Sequence, residues 1–142
     1  MGLDTFATGL SREETYHGGY SIYGSFIEEL ISHAYDEKCR EIYHRTYFDG
    51  FYKLTYIGPV TKDEIEYWNA HCNDDLDILI FHSDCDGKFS PVECRKIYNA
   101  IKDIQFHLDE NSIYSQYMLE ILSIFKKMFH HCARRRVNLY YR

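Results

Sequence analysis

The sequence predicts an α+β fold: one domain over residues 1–142, with three to four helices packed on a small sheet and a β-hairpin near residues 46–57. Three observations carry that expectation. Apolar residues recur at helical spacing in several separate stretches, short β-favouring runs lie between and outside them, and helix-start signals punctuate the joins. No internal repeat or linker divides the 142 residues, which hold only two prolines and eight glycines.

The elements follow in chain order. Gly2 to Thr8 alternates as a strand does and is expected at a sheet edge. The glycine-rich run Tyr16-His-Gly-Gly-Tyr-Ser-Ile-Tyr-Gly-Ser-Phe26 leads into a helix, striped by Ile22, Phe26, Leu30 and Ala34 with Ile27 and Ile31 beside them, reaching about Cys39. Asp49-Gly50 between two aromatic runs is the hairpin signal. Thr61 and Glu64 form a capping box for a short helix toward His71.

Asp75-Leu-Asp-Ile-Leu-Ile-Phe81 reads as the best strand, nearly continuous in apolar character and ending at His82. Ser90, Pro91 and Glu93 combine an N-cap, a proline at the first helical position and an N3 glutamate, followed by the stripe Ile97, Ile101, Ile104, Leu108. Ser112 caps the longest helix, Ile113 to about Arg134, whose basic end complements the helix dipole. Val137 to Tyr141 closes the chain as a strand.

Composition narrows the function classes. The net charge of −6 argues against general nucleic-acid binding, although Arg134, Arg135 and Arg136 make the end of the chain basic. Aromatics are 17% of residues, fourteen of them tyrosine, a residue that buries its ring and keeps its hydroxyl wet in small cores and at interfaces. A homodimer is one way to cover so many rings. Five cysteines at 39, 72, 85, 94 and 132 show no CxxC spacing, and no signal peptide or membrane-spanning run is present, so a cytoplasmic setting with free thiols is expected.

One stretch concentrates the chemistry: His82-Ser-Asp-Cys-Asp-Gly-Lys-Phe-Ser-Pro-Val-Glu93. With Gly87 at position 6 of a calcium loop, Asp84, Asp86, Lys88 (by its carbonyl), Ser90 and Glu93 fall at positions 3, 5, 7, 9 and 12. His82 at position 1 offers nitrogen where a hard cation wants oxygen. The stretch also resembles the first motif of haloacid-dehalogenase-type phosphotransferases, but His82-Ser83 intervene before Asp84 and Lys88 stands where threonine is usual. The simplest reading is a capped strand-to-helix corner, with carboxylates near a helix start and Gly87 free to take positive φ. Elsewhere, Gly19 to Ser25 has the glycine spacing of a phosphate loop but lacks its lysine, and no Ser/His/Asp or Cys/His arrangement stands out from spacing alone.

The opening Met-Gly-Leu-Asp, the Gly19-Tyr20-Ser21 stretch before a helix and the Ser83-Asp84-Cys85-Asp86-Gly87 corner together resemble an uncharacterised family of small proteins from tailed phages, prophages and their bacterial hosts. The resemblance implies a mobile-element origin. It also implies a surface shared by the two glycine corners, built from Gly19, Tyr20, Ser21, Ser83, Cys85 and Gly87. The expected function is a phage- or prophage-type accessory module that binds a host protein. The alternative is a divalent-cation-dependent enzyme or small-ligand binder using Asp84, Asp86 and Glu93 with His82 assisting.

Overall fold

The computed structural model describes residues 2–48, 60–109 and 111–142. Its order is β1 (Gly2–Phe6), a 3₁₀ turn (Arg12–Glu14), β2 (His17–Gly19), α1 (Tyr20–Ala34), α2 (Glu37–Phe48), α3 (Lys62–His71), α4 (Asp74–Ile80), β3 (Gly87–Phe89), α5 (Pro91–Ile101), α6 (Ile113–Arg135) and β4 (Leu139–Tyr141). The α+β class is as the sequence predicts: helices pack on a four-stranded antiparallel sheet of order β2-β1-β4-β3.

Several elements depart from the expectation, each for a local reason. The run Asp75 to Phe81 is not a strand but most of α4. Asn73 caps it, its side-chain oxygen accepting from the backbone N–H groups of Asp75 and Leu76 at 3.1 Å each, and Asp74, Asp75 and Asp77 occupy the favourable first turn. Leu76, Leu79 and Ile80 are buried, a spacing of three and four that periodicity in so short an apolar run did not separate from a strand.

The first predicted helix is two. Tyr35 leaves the helical region at φ −118°, and the Asp36 carboxylate accepts from the Cys39 N–H at 2.8 Å, capping α2. The described helices therefore number six rather than three or four. The stripe expected to run to Leu108 stops being helical at Ile101, and Ile104 and Leu108 pack on the core from an irregular segment. Of the hairpin near residues 46–57, positions 46–48 belong to α2, and 49–57 lie outside the described residues.

β1 is not an edge strand either, because β4 returns to pair with it, Thr5 opposite Tyr141 and Phe6 opposite Tyr140. β2 and β3 are the edges. The inner sheet face, with Leu3, Phe89, Leu139 and Tyr141 buried, meets α1 and α6. There Phe125 stacks on Phe26 at 5.0 Å between centroids and meets Tyr16 and Tyr23 at 5.5 and 5.9 Å. The buried Thr5 hydroxyl is satisfied by the Tyr16 N–H at 2.8 Å and the Tyr16 carbonyl at 3.0 Å.

Candidate functional site

The strand register places the two glycine corners at one end of the sheet. Gly2 pairs with Gly19, and Gly87, at the start of β3, pairs with Tyr141, which in turn lies opposite Thr5. The strand beside β4 on this side is not the run Asp75 to Phe81 but β3, a short strand inside the corner. Between the corners, the Tyr23 hydroxyl on α1 bonds that of Tyr141 on β4 at 3.0 Å, and the His82 ring meets Tyr141 edge-on at 5.1 Å.

Within the 82–93 corner each side chain has a local task. His82 stacks on Phe89 at 4.0 Å, with its ring nitrogens 2.8 Å from the Ser83 carbonyl and 3.3 Å from that of Lys88. The Ser83 hydroxyl accepts from the Cys85 N–H at 3.3 Å. Glu93 accepts from the Ser90 N–H at 2.9 Å, completing the capping box of α5. Gly87 takes φ +102°, and an added Cβ would stand 3.1 Å from the His82 ring. Asp84 and Asp86 are exposed. The corner is thus helix, turn, strand and helix rather than strand to helix.

Among the described residues, the one group of three ligating side chains within 4.8 Å of one another is Cys72, Asp74 and Asp77, away from that corner. Its members already partner protein groups. Asp77 accepts from Trp68 Nε1 at 3.0 Å and from the Tyr35 hydroxyl, and Cys72 donates to Asp74 at 3.3 Å. Burial raises the Asp77 carboxyl above its ordinary range and pushes the Cys72 thiol up to about 12.

Gly19 ends β2 and precedes α1, with Tyr20 and Ser21 opening that helix. A cavity of about 510 Å³ runs beside them, lined by the 3₁₀ turn, by β2 and Ile22, and by Tyr117, Glu120, Ile121 and Ile124 of α6. It adjoins a second cavity of about 370 Å³, with Glu13 and Ile124 common to both, where Lys127 and Arg134 supply positive charge beside His130 and His131. Together they form one groove along α6.

Beside the groove, with Thr15 and His17 among its lining residues, lies an arrangement that sequence spacing did not disclose. Cross-strand pairing sets Asp4 opposite His17, and Asp4 Oδ1 lies 2.6 Å from His17 Nδ1. Two residues back on the same face, the Thr15 hydroxyl lies 2.8 Å from His17 Nε2. The hydrogen bond from His17 holds the Asp4 carboxyl below its ordinary range. Thr15 and His17 are two apart in an alternating segment, the one sequence signal available, but Asp4 joins them only through the register.

Compared with known protein families, curated proteins and solved structures, the chain matches none. Among the described residues no helix is long and apolar enough to cross a membrane.

Proposed function

We propose that this protein is a binding module, an accessory protein of the phage or prophage type, which engages a host protein along the α6 groove. The observation that carries the reading is a cluster of large apolar side chains left open to solvent beside the groove. Ile113 is 73% exposed, Tyr117 54%, Tyr114 43% and Ile22 37%. Ile113 and Tyr117 are one turn apart on α6, Tyr117 and Ile22 line the same cavity, and Tyr114 reaches across to Glu29 of α1 at 3.0 Å. A contiguous apolar patch rimmed by charge is the surface expected of a protein contact. β2 adds an edge strand along the groove, able to pair with extended backbone. The net charge of −6 favours a protein over a nucleic-acid partner.

The test is a photo-cross-linker at position 117, compared with one at exposed Asn99 on α5. A single host protein captured at 117 but not at 99 is then purified and titrated. Ile22→Glu with Tyr117→Glu is expected to weaken its binding at least tenfold. Equal affinity for wild type and variant overturns the reading.

A further inference from the structure

We infer that Asp4, His17 and Thr15 form an acyl-transfer centre, with Thr15 as the nucleophile toward small carboxylic esters held in the cavity beside β2. The inference goes beyond the binding reading and does not rest on it.

The three groups make a continuous chain from carboxylate through imidazole to hydroxyl, at 2.6 and 2.8 Å. That is the geometry by which a base and its orienting acid are recognised, whatever their order in sequence. Asp4 accepts the Nδ1 proton, so Nε2 is left as the acceptor facing the Thr15 hydroxyl. The Thr15 hydroxyl also lies within donating distance of the Arg12 and Ser11 carbonyls at 3.0 and 3.3 Å, both longer than its contact to Nε2. Thr15 is 5% exposed and lines the 510 Å³ cavity.

Arg12 and His17, which could donate to an oxyanion, are both among the residues lining this cavity. Asp4 donates its N–H to the carbonyl of Arg142, just past β4, and accepts the Arg142 N–H in return, so Asp4 and His17 are a pair without mutual backbone bonds. The His17 N–H therefore points away from β1, on the side where β2 has no strand neighbour among the described residues. Arg12 lines the cavity and supplies a cation. Ile22, Tyr117 and Ile121 offer an apolar seat for the acyl chain.

The step balances without a cofactor. Thr15 Oγ attacks the ester carbonyl carbon while its proton passes to His17 Nε2, and the carbonyl electron pair moves onto oxygen. The pair returns, the bond to the alcohol oxygen breaks, and the alcohol leaves with the proton from Nε2. Water then attacks the acyl-threonine, giving one proton to His17. The bond to Oγ breaks, Thr15 recovers that proton and a carboxylic acid departs.

The experiment uses p-nitrophenyl butyrate as substrate and a fluorophosphonate as covalent probe on the full chain, with peptide mass mapping of the adduct. Hydrolysis with the adduct on Thr15 is expected. Thr15→Ser retains both, and His17→Gln lowers turnover by about 10²- to 10⁴-fold, the usual contribution of a general base. Melting curves establish that each variant is folded. If Thr15→Val does not fold, the mapped adduct and folded His17→Gln still decide. An adduct on a surface residue, no adduct at all, or hydrolysis unchanged in His17→Gln overturns the assignment.

Discussion

The hydroxyl of Tyr23 lies 3.0 Å from that of Tyr141, a hydrogen bond between the first long helix and the last strand in a part of the core from which water is excluded. Burial raises both phenols well above the ordinary tyrosine range, so the pair is neutral at any physiological pH.

Removing one hydroxyl strands the other. Tyr141→Phe and Tyr23→Phe are each expected to destabilise by about 1–3 kcal/mol, whereas the double variant should cost less than the sum of the two. Urea unfolding of the four proteins measures the coupling, and strictly additive losses would show that the bond contributes nothing.

The α4 assignment has its own test. Asn73→Ala should cost about 1 kcal/mol and Asn73→Ser should recover most of it, since serine also caps. Denaturant midpoints decide. Were residues 75–81 extended, neither change would follow capping rank.

Thiol reactivity should divide sharply. Cys39, Cys94 and Cys132 are fully buried and Cys85 is exposed. Burial pushes the Cys39 thiol up to about 12, and the hydrogen bond with Cys132, with burial second, raises Cys94. Iodoacetamide followed by peptide mapping should modify Cys85 first and reach those three only at the rate of unfolding. Early modification of Cys94 in folded protein contradicts the packing.

Acid stability should report the Asp4–His17 pair. The folded carboxyl is lowered by the His17 hydrogen bond, so the unfolded chain binds its proton more readily. The stabilisation is present above the ordinary aspartate value of 3.8 and is lost as pH falls from there through the folded value. Melting temperature followed from pH 5 to about pH 2.5 should drop less steeply for Asp4→Asn than for wild type. Identical slopes would remove the pair from the account.

At the 82–93 corner, Gly87→Ala should cost about 1–3 kcal/mol because it forces a side chain into positive φ. Asp84→Asn with Asp86→Asn should change stability by less than about 0.5 kcal/mol, both positions being exposed. Thermal unfolding with EDTA, Ca²⁺, Mg²⁺, Mn²⁺ or Zn²⁺ completes the comparison. A cation-induced rise in wild type that the double variant lacks would restore a metal reading of the corner.

Helices announced by capping chemistry were legible in the sequence. Thr61 with Glu64, Ser90 with Glu93 and Ser112 all cap as their spacing predicts. What failed was arbitration over short apolar runs. Seven residues from Asp75 carry too few turns to display a period, and Asn73, the deciding signal, sits just outside the run. The Asp36 cap between α1 and α2 was masked by apolar spacing that continues past it. The 82–93 corner was visible because its unusual residues are consecutive. The Asp4–His17–Thr15 chain was not, because strand partners are set by register, which depends on the whole fold.

The pairing of β1 with β4 bears on how the chain comes into being. Thr5 of β1 pairs with Tyr141 of β4, so one of the two neighbours of β1 is made long after β1 itself. A nascent chain can close α5 early, but the sheet centre must wait until residues 139–141 emerge from the ribosome. Until then Leu3 and Thr5, later wholly buried, belong to a strand with one side unpaired, open to capture by another chain or a chaperone.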